Sequence, residues 1–212
     1  LVAISKGLKN TSKSGIGHTR WATHGVPSDK NSHPHVSNNG KIALVHNGII
    51  ENYDTIKTML INKNFEFHSE TDTEVLANLI QYFMDKEPTL EFSEAVRYAL
   101  NEVYGAYAIS VMHDDFPGQL IVARLGSPLA VGIGENEYFV ASDASPFVEF
   151  TKEAVYLEEG HMATISLESG IDIRTIKENA KIEPAIQELK LNLEQIEKGG
   201  YEHFMLKEIF EQ

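Results

Sequence analysis

The chain has no cysteine and only one tryptophan, and its 18 Lys and Arg residues are outnumbered by 31 Asp and Glu. Without cysteine there is no disulfide and no thiolate metal site among the 212 residues. The formal net charge is −13 at pH 7, and the basic residues are scattered rather than clustered. Such a surface repels a polyanion over most of its area, which sets aside nucleic acid and acidic membrane as partners. No apolar run approaches the roughly 20 residues that span a bilayer. No signal-peptide pattern is present either, and the lack of cysteine fits a cytoplasmic protein.

What is present is enough for one domain. The composition is 42% apolar, and a globular chain of this length buries roughly 70% of its unfolded surface. The chain opens at Leu1 on an apolar run, and Gly199 to Gln212 stops within a helical pattern, so it reads as part of a longer protein. Residues 1–198 are expected to form the domain, with residues 199–212 a final helix leading out of it.

Residue patterning points to an α+β fold. Gly15 to Ala22 reads as a strand with Ile16, His18, Arg20 and Ala22 on one side. Gly25 to Gly40 is rich in Pro, Ser, Asn and His and reads as an exposed loop. Lys41 to His46 reads as a buried strand that ends at an Asn47-Gly48 turn. A helix is expected from Asn52, with Ile56, Met59 and Leu60 inward, and Phe65 to His68 reads as a short strand. Val75, Leu76, Leu79, Ile80 and Phe83 form one stripe of a helix capped by Thr71 or Asp72. Phe92, Ala95, Val96, Ala99, Leu100 and Val103 form the stripe of another, ended by Gly105.

Beyond Gly105, short runs rich in Val, Ile, Tyr and Phe alternate with Gly, Asp and Asn, as strands joined by hairpins do. Such runs are Tyr107 to Met112, Leu120 to Arg124, Leu129 to Ile133, Tyr138 to Ser142, Val155 to Leu157, Met162 to Ser166 and Ile171 to Ile176. Ser145 to Phe150 has room for one helical turn. Helices followed by consecutive antiparallel strands form layers, not a βαβ parallel sheet.

Chemistry concentrates between Gly17 and Gly48, which hold five of the nine histidines and the only tryptophan. Arg20, flanked by Thr19 and Trp21 and followed by Thr23 and His24, offers a planar fork for a carboxylate or phosphate. It could equally sit in a surface ion pair at a strand edge. In His46-Asn47-Gly48, an amide side chain beside a glycine N–H suits an oxyanion hole, and an ordinary Asn-Gly turn has the same sequence. Ser69 to Thr73 (SETDT) is either a helix cap or a site for an ammonium group. His18, His24, His33, His35 and His46 could in principle ligate a metal, but they lack a helical H-x-x-x-H spacing.

Taken in order, GHTRWATHG, NSHPH, VHNGIIEN, SETDTEV, YGAYA, RLGSPL, ASDASP and LEEG resemble the glutaminase domain of the glucosamine-6-phosphate synthases. These are N-terminal-nucleophile (class II) glutamine amidotransferases, and the resemblance runs from about Gly15 to Gln212. It implies a four-layer αββα sandwich of two antiparallel sheets. It also implies hydrolysis of glutamine to glutamate and ammonia without metal or organic cofactor. The ammonia would pass to a covalently continuous sugar-phosphate isomerase domain in a homodimer or higher oligomer.

By the same resemblance Arg20 grips the glutamine carboxylate, Asp72 its α-ammonium, and Asn47 with Gly48 forms the oxyanion hole. Thr23 and His24 complete the pocket, and Trp21 lies on the segment over it. The family nucleophile is an N-terminal cysteine whose own amine is the base, and this chain has none. The family's first stretch is therefore expected to be missing here, leaving this chain inactive by itself. A non-catalytic amino-acid-binding domain is the rival reading, and a histidine-ligated metallohydrolase a further one.

Overall fold

A computed structural model describes residues 12–189. Three helices, α1 (Tyr53–Ile61), α2 (Asp72–Lys86) and α3 (Phe92–Glu102), lie between strands β1 (His35–Val36) and β2 (Ile42–Ile50) and the nine strands that follow. Those are β3 (Gly105–His113), β4 (Gln119–Leu125), β5 (Ala130–Gly134), β6 (Glu137–Ala141), β7 (Glu153–Tyr156), β8 (His161–Ser166), β9 (Gly170–Thr175), β10 (Lys181–Ile182) and β11 (Ile186–Glu188). They form a seven-stranded sheet ordered β1-β2-β3-β4-β8-β9-β10 and a four-stranded sheet ordered β11-β7-β5-β6. Every pairing is antiparallel.

Side-chain alternation decides the layers. On β3 and β4, Tyr107, Ile109, Val111, Ile121 and Ala123 face a core shared with the helices. Ala108 and Val122 point the other way, into a second core with Leu129, Val131, Val155 and Leu157 around the smaller sheet. The helical stripes behave as their spacing predicts. Val75, Leu76, Leu79 and Ile80 on α2 are almost fully buried, as are Phe92, Ala95, Val96, Ala99 and Leu100 on α3. The far face of the small sheet gathers Ala130, Phe147, Ala154 and Leu189 under a 3-10 turn at Ser145–Phe147. The described residues thus supply helices, large sheet and small sheet. The expected final helix lies outside them.

Four local expectations are corrected. Gly15 to Ala22 joins no sheet among the described residues, and Arg20 sits at φ +48°, which a strand does not tolerate. Phe65 to His68 likewise makes no ladder. Within Gly25 to Gly40, Asn31, His35 and Ser37 are buried, and β1 pairs with β2. Asn47-Gly48 is no turn: β2 continues through it to Ile50, with Asn47 opposite Ala108 and Gly48 opposite Tyr107. Gly48 has φ +143°, and a Cβ there would sit 2.0 Å from the Ala106 carbonyl oxygen. Glycine is needed for close backbone approach, not for a reversal.

Candidate active site

The start of α2 is docked onto β2 by one side chain. Thr71 caps the helix, its hydroxyl accepting from the Glu74 N–H at 3.3 Å. That places Asp72 in the first turn, where a carboxylate is favoured by the exposed amides. Asp72 Oδ2 accepts from the Ile50 N–H at 2.8 Å and stands 3.8 Å from His46 Nδ1. His46 Nδ1 also lies 3.1 Å from the Thr73 hydroxyl. Burial lowers the His46 pKa, and the Asp72 carboxylate opposes the shift.

Glu74 sets the preceding turn. Its carboxylate accepts from the His68 N–H (2.8 Å), the Ser69 N–H (2.7 Å) and the Ser69 hydroxyl (2.6 Å). Ser69 Oγ in turn meets Thr71 Oγ1 at 2.9 Å, and Thr71 Oγ1 meets His35 Nε2 at 2.9 Å. Ser69 and Thr71 of SETDT therefore build the helix start, while Asp72 and Thr73 face the space beside β2.

That space is a cavity of about 330 Å³. Arg20, Trp21, Thr23, Asn47, Gly48 and Asp72 all line it, so six of the seven residues singled out in the sequence meet there. The seventh, His24, does not line it. Its ring packs edge-on against Tyr53 with centroids 4.8 Å apart, while its carbonyl accepts from Arg20 Nη2. Arg20 makes no ion pair among the described residues. Trp21 is 90% exposed at the rim.

His18, His33, His46, Ile49 and Thr73 complete the lining. Their histidines stood out in the sequence only as metal candidates. Among the described residues no group of three or more His, Cys, Asp or Glu side chains is arranged to hold a metal ion. His18 and His33 instead meet each other, Nδ1 to Nδ1, at 2.8 Å. Desolvation holds His33 down to about 3, with neighbouring imidazoles and Arg20 adding to it, so its ring is neutral at neutral pH. No sequence signal pairs these two rings, because their contact depends on how two irregular segments fold together.

In chemical terms the cavity offers a guanidinium without an ion pair among the described residues, a carboxylate, and a side-chain amide beside a glycine. Such a set suits a small zwitterion whose carbonyl is to be polarised.

Three comparisons with known proteins bear on it. A family model described as a glutamine amidotransferase domain matches residues 5–201. The chain is 52% identical over 198 residues to the isomerizing glutamine–fructose-6-phosphate aminotransferase of Chlorobaculum tepidum, covering 93% of this chain and 32% of that protein. It is 52% identical over 199 residues to the protein of the same name from Bacteroides thetaiotaomicron, again 93% of this chain and 32% of the other. The chain thus spans about a third of the length of these curated relatives.

Among solved structures it is similar to the glutamine phosphoribosylpyrophosphate amidotransferase from B. subtilis complexed with ADP and GMP. The TM-score is 0.62 and the identity 30%, over 77% of this chain and 35% of that one. A structure of the allosteric regulatory enzyme of purine biosynthesis gives a TM-score of 0.58 and 30% identity, over 71% and 32% of the respective chains. The two-sheet α+β sandwich is therefore the N-terminal-nucleophile amidotransferase fold, as the motifs implied. With its family model matched over residues 5–201, the chain belongs to the glutamine amidotransferase domain family.

Proposed function

We propose that this chain is the glutamine-hydrolysing domain of a cytoplasmic amidotransferase, without the segment that carries its nucleophile. Glutamine and water yield glutamate and ammonia, and the ammonia passes to a covalently continuous isomerase domain that makes glucosamine 6-phosphate from fructose 6-phosphate. The domain occupies residues 1–198, and residues 199–212 lead toward the partner domain in an enzyme that works as a homodimer or larger oligomer. Relatives that bear the aminotransferase name over about three times this length support the reading.

The observation that carries it is the convergence of Arg20, Asp72, Asn47 and Gly48 on one cavity. Arg20 takes the α-carboxylate through its planar fork, and Asp72 takes the α-ammonium. Peptide-bound glutamine has neither charge, so it would leave both partners unmatched at a cost of about 1–3 kcal/mol each. The Asn47 amide and the Gly48 N–H receive the oxyanion that forms when the side-chain amide carbon is attacked. Thr23 and the His24 carbonyl steady the substrate and the guanidinium, and Trp21 covers the mouth.

The attacking thiol comes from outside the present sequence, which contains no cysteine, so this chain binds glutamine without hydrolysing it. The test is calorimetric titration of the chain. L-glutamine should bind, whereas N-acetylglutamine and the glutamine α-amide should not. Equal affinity for all three would overturn the assignment of Arg20 and Asp72. The missing thiol also favours a second reading, a non-catalytic amino-acid-binding domain. Whether the gene encodes Met-Cys-Gly upstream of Leu1 separates the two.

A further inference from the structure

Arg20 and Trp21 stand on a segment, residues 12–28, that forms no helix and no strand. A guanidinium on such a segment binds productively only if something fixes the backbone that carries it. Strand pairing does not do so here, since the segment joins no ladder among the described residues. Its Arg20–His24 hydrogen bond is internal and cannot tie it to the rest of the molecule.

Beyond the Val26 carbonyl, which accepts from Asn31 Nδ2 at 3.0 Å, two ring contacts reach outward. One is the edge-on packing of His24 on Tyr53, which lacks a directed polar bond. The other is the 2.8 Å contact between His18 Nδ1 and His33 Nδ1. These rings are also stacked, with centroids 4.9 Å apart and planes 21° apart. His33 in turn abuts His35 at 5.2 Å, and His35 is held through Thr71 to the start of α2, the element that presents Asp72.

We propose that His18 and His33 are positioning residues whose Nδ1–Nδ1 hydrogen bond fixes the Arg20 segment in register with Asp72 across the cavity. The substrate part of this proposal rests on the glutamine reading above; the mechanical part does not. The groups that face the pair are His35, His46 and Arg20. Desolvation, with Arg20 adding to it, keeps both imidazoles below their ordinary pKa, and the neighbouring imidazoles lower His33 further. Two neutral rings joined at Nδ1 must adopt opposite tautomers: one donates Nδ1–H, and the other carries its proton on Nε2. The bond is therefore directional and specific to Nδ1.

That specificity supplies the test. The amide of asparagine reproduces the position of Nδ1, whereas glutamine reaches toward Nε2. Trp21, the only tryptophan, reports the segment directly through its fluorescence anisotropy. His18→Ala and His33→Ala should each lower that anisotropy and weaken L-glutamine binding about tenfold, with the double variant no worse than either single one. His33→Asn should restore both signals and His33→Gln neither. Thermal melts identify variants that fail to fold; if the alanine variants do so, the Asn and Gln variants decide.

Unchanged Trp21 anisotropy, additive effects in the double variant, or equal behaviour of Asn and Gln would overturn the proposal. Absence of glutamine binding in the unaltered chain would overturn the substrate reading instead. The anisotropy series would still decide whether the pair holds the segment.

Discussion

Two cavities of nearly equal size, about 330 and 340 Å³, open on this molecule, and their charges are used in opposite ways. The second is lined by Glu91, Ser93, Glu94, Met162, Thr164, Asp172, Arg174 and Asn179. Apart from the exposed Glu91, its charged groups are already paired. Arg174 Nε bonds Asp172 at 2.7 Å, Lys181 approaches the same carboxylate at 3.9 Å, and Glu94 takes Arg97 at 2.8 Å and Asn179 at 3.1 Å. In the first, Arg20 has only a backbone carbonyl and Asp72 a backbone amide, beside a histidine that burial keeps neutral. Size does not distinguish the two. What does is buried or half-buried charge that is oriented and left without an opposite charge among the described residues, because such charge gains by taking a ligand.

The sharpest way to break the contrast is Gly48→Ala. The added Cβ would meet the Ala106 carbonyl oxygen at 2.0 Å and must force β2 from β3. A loss of about 3 kcal/mol or more in denaturant stability, with no measurable glutamine binding, is expected. Near-normal stability would mean that the strands separate easily there. In the complete enzyme, Asn47→Ala should lower kcat by roughly 10²–10³ through loss of one oxyanion donor. A change confined to KM would make Asn47 a binding residue.

Arg20→Lys keeps the charge but loses the fork, and should raise the glutamine Kd about ten- to a hundredfold. An unchanged Kd in titration would show that the guanidinium does not touch the substrate.

Acid should act on the first cavity and spare the second, which has no histidine in its lining. His18, His33, His35 and His46 all titrate below their ordinary value of 6.5 in the folded chain, His33 near 3. Below 6.5 the unfolded chain then binds more protons than the folded one. Stability is full above that pH and is lost as pH falls toward 3. Melting temperatures recorded from pH 7 to pH 4 should decline, and more shallowly in His33→Asn. A flat profile would place these rings in solvent. The smallest effect belongs to Arg174→Ala. Its ion pair is partly exposed and worth at most about 1 kcal/mol, so glutamine affinity should stay within about twofold of the unaltered chain.

Much of the scaffold was legible because its cause is local periodicity. Phe92, Ala95, Val96, Ala99 and Leu100 recur with the turn of a helix, and burial followed that spacing. The β-rich second half announced itself through alternating runs and turn residues, within a residue or two of strands β3 to β9, whereas the short β10 and β11 were not read. Misreadings fell where tertiary contact overrides local preference. Asn47-Gly48 has the composition of a turn, yet strand pairing carries β2 straight through it. Gly15 to Ala22 alternates like a strand, yet Arg20 at φ +48° breaks the extended path.

By itself, then, the sequence determined an α+β layering, a polar stretch with unusual chemistry and, through its motifs, the family. Local hydrophobic spacing and ordered motifs survive without knowledge of the fold. Only the tertiary structure decided that Arg20 and Asp72 face one cavity, and that Asp72 is held there by the Ile50 amide. The same holds for His18 and His33, which meet each other at 2.8 Å. Those outcomes depend on chain segments distant in sequence arriving within hydrogen-bond range, which no local pattern encodes.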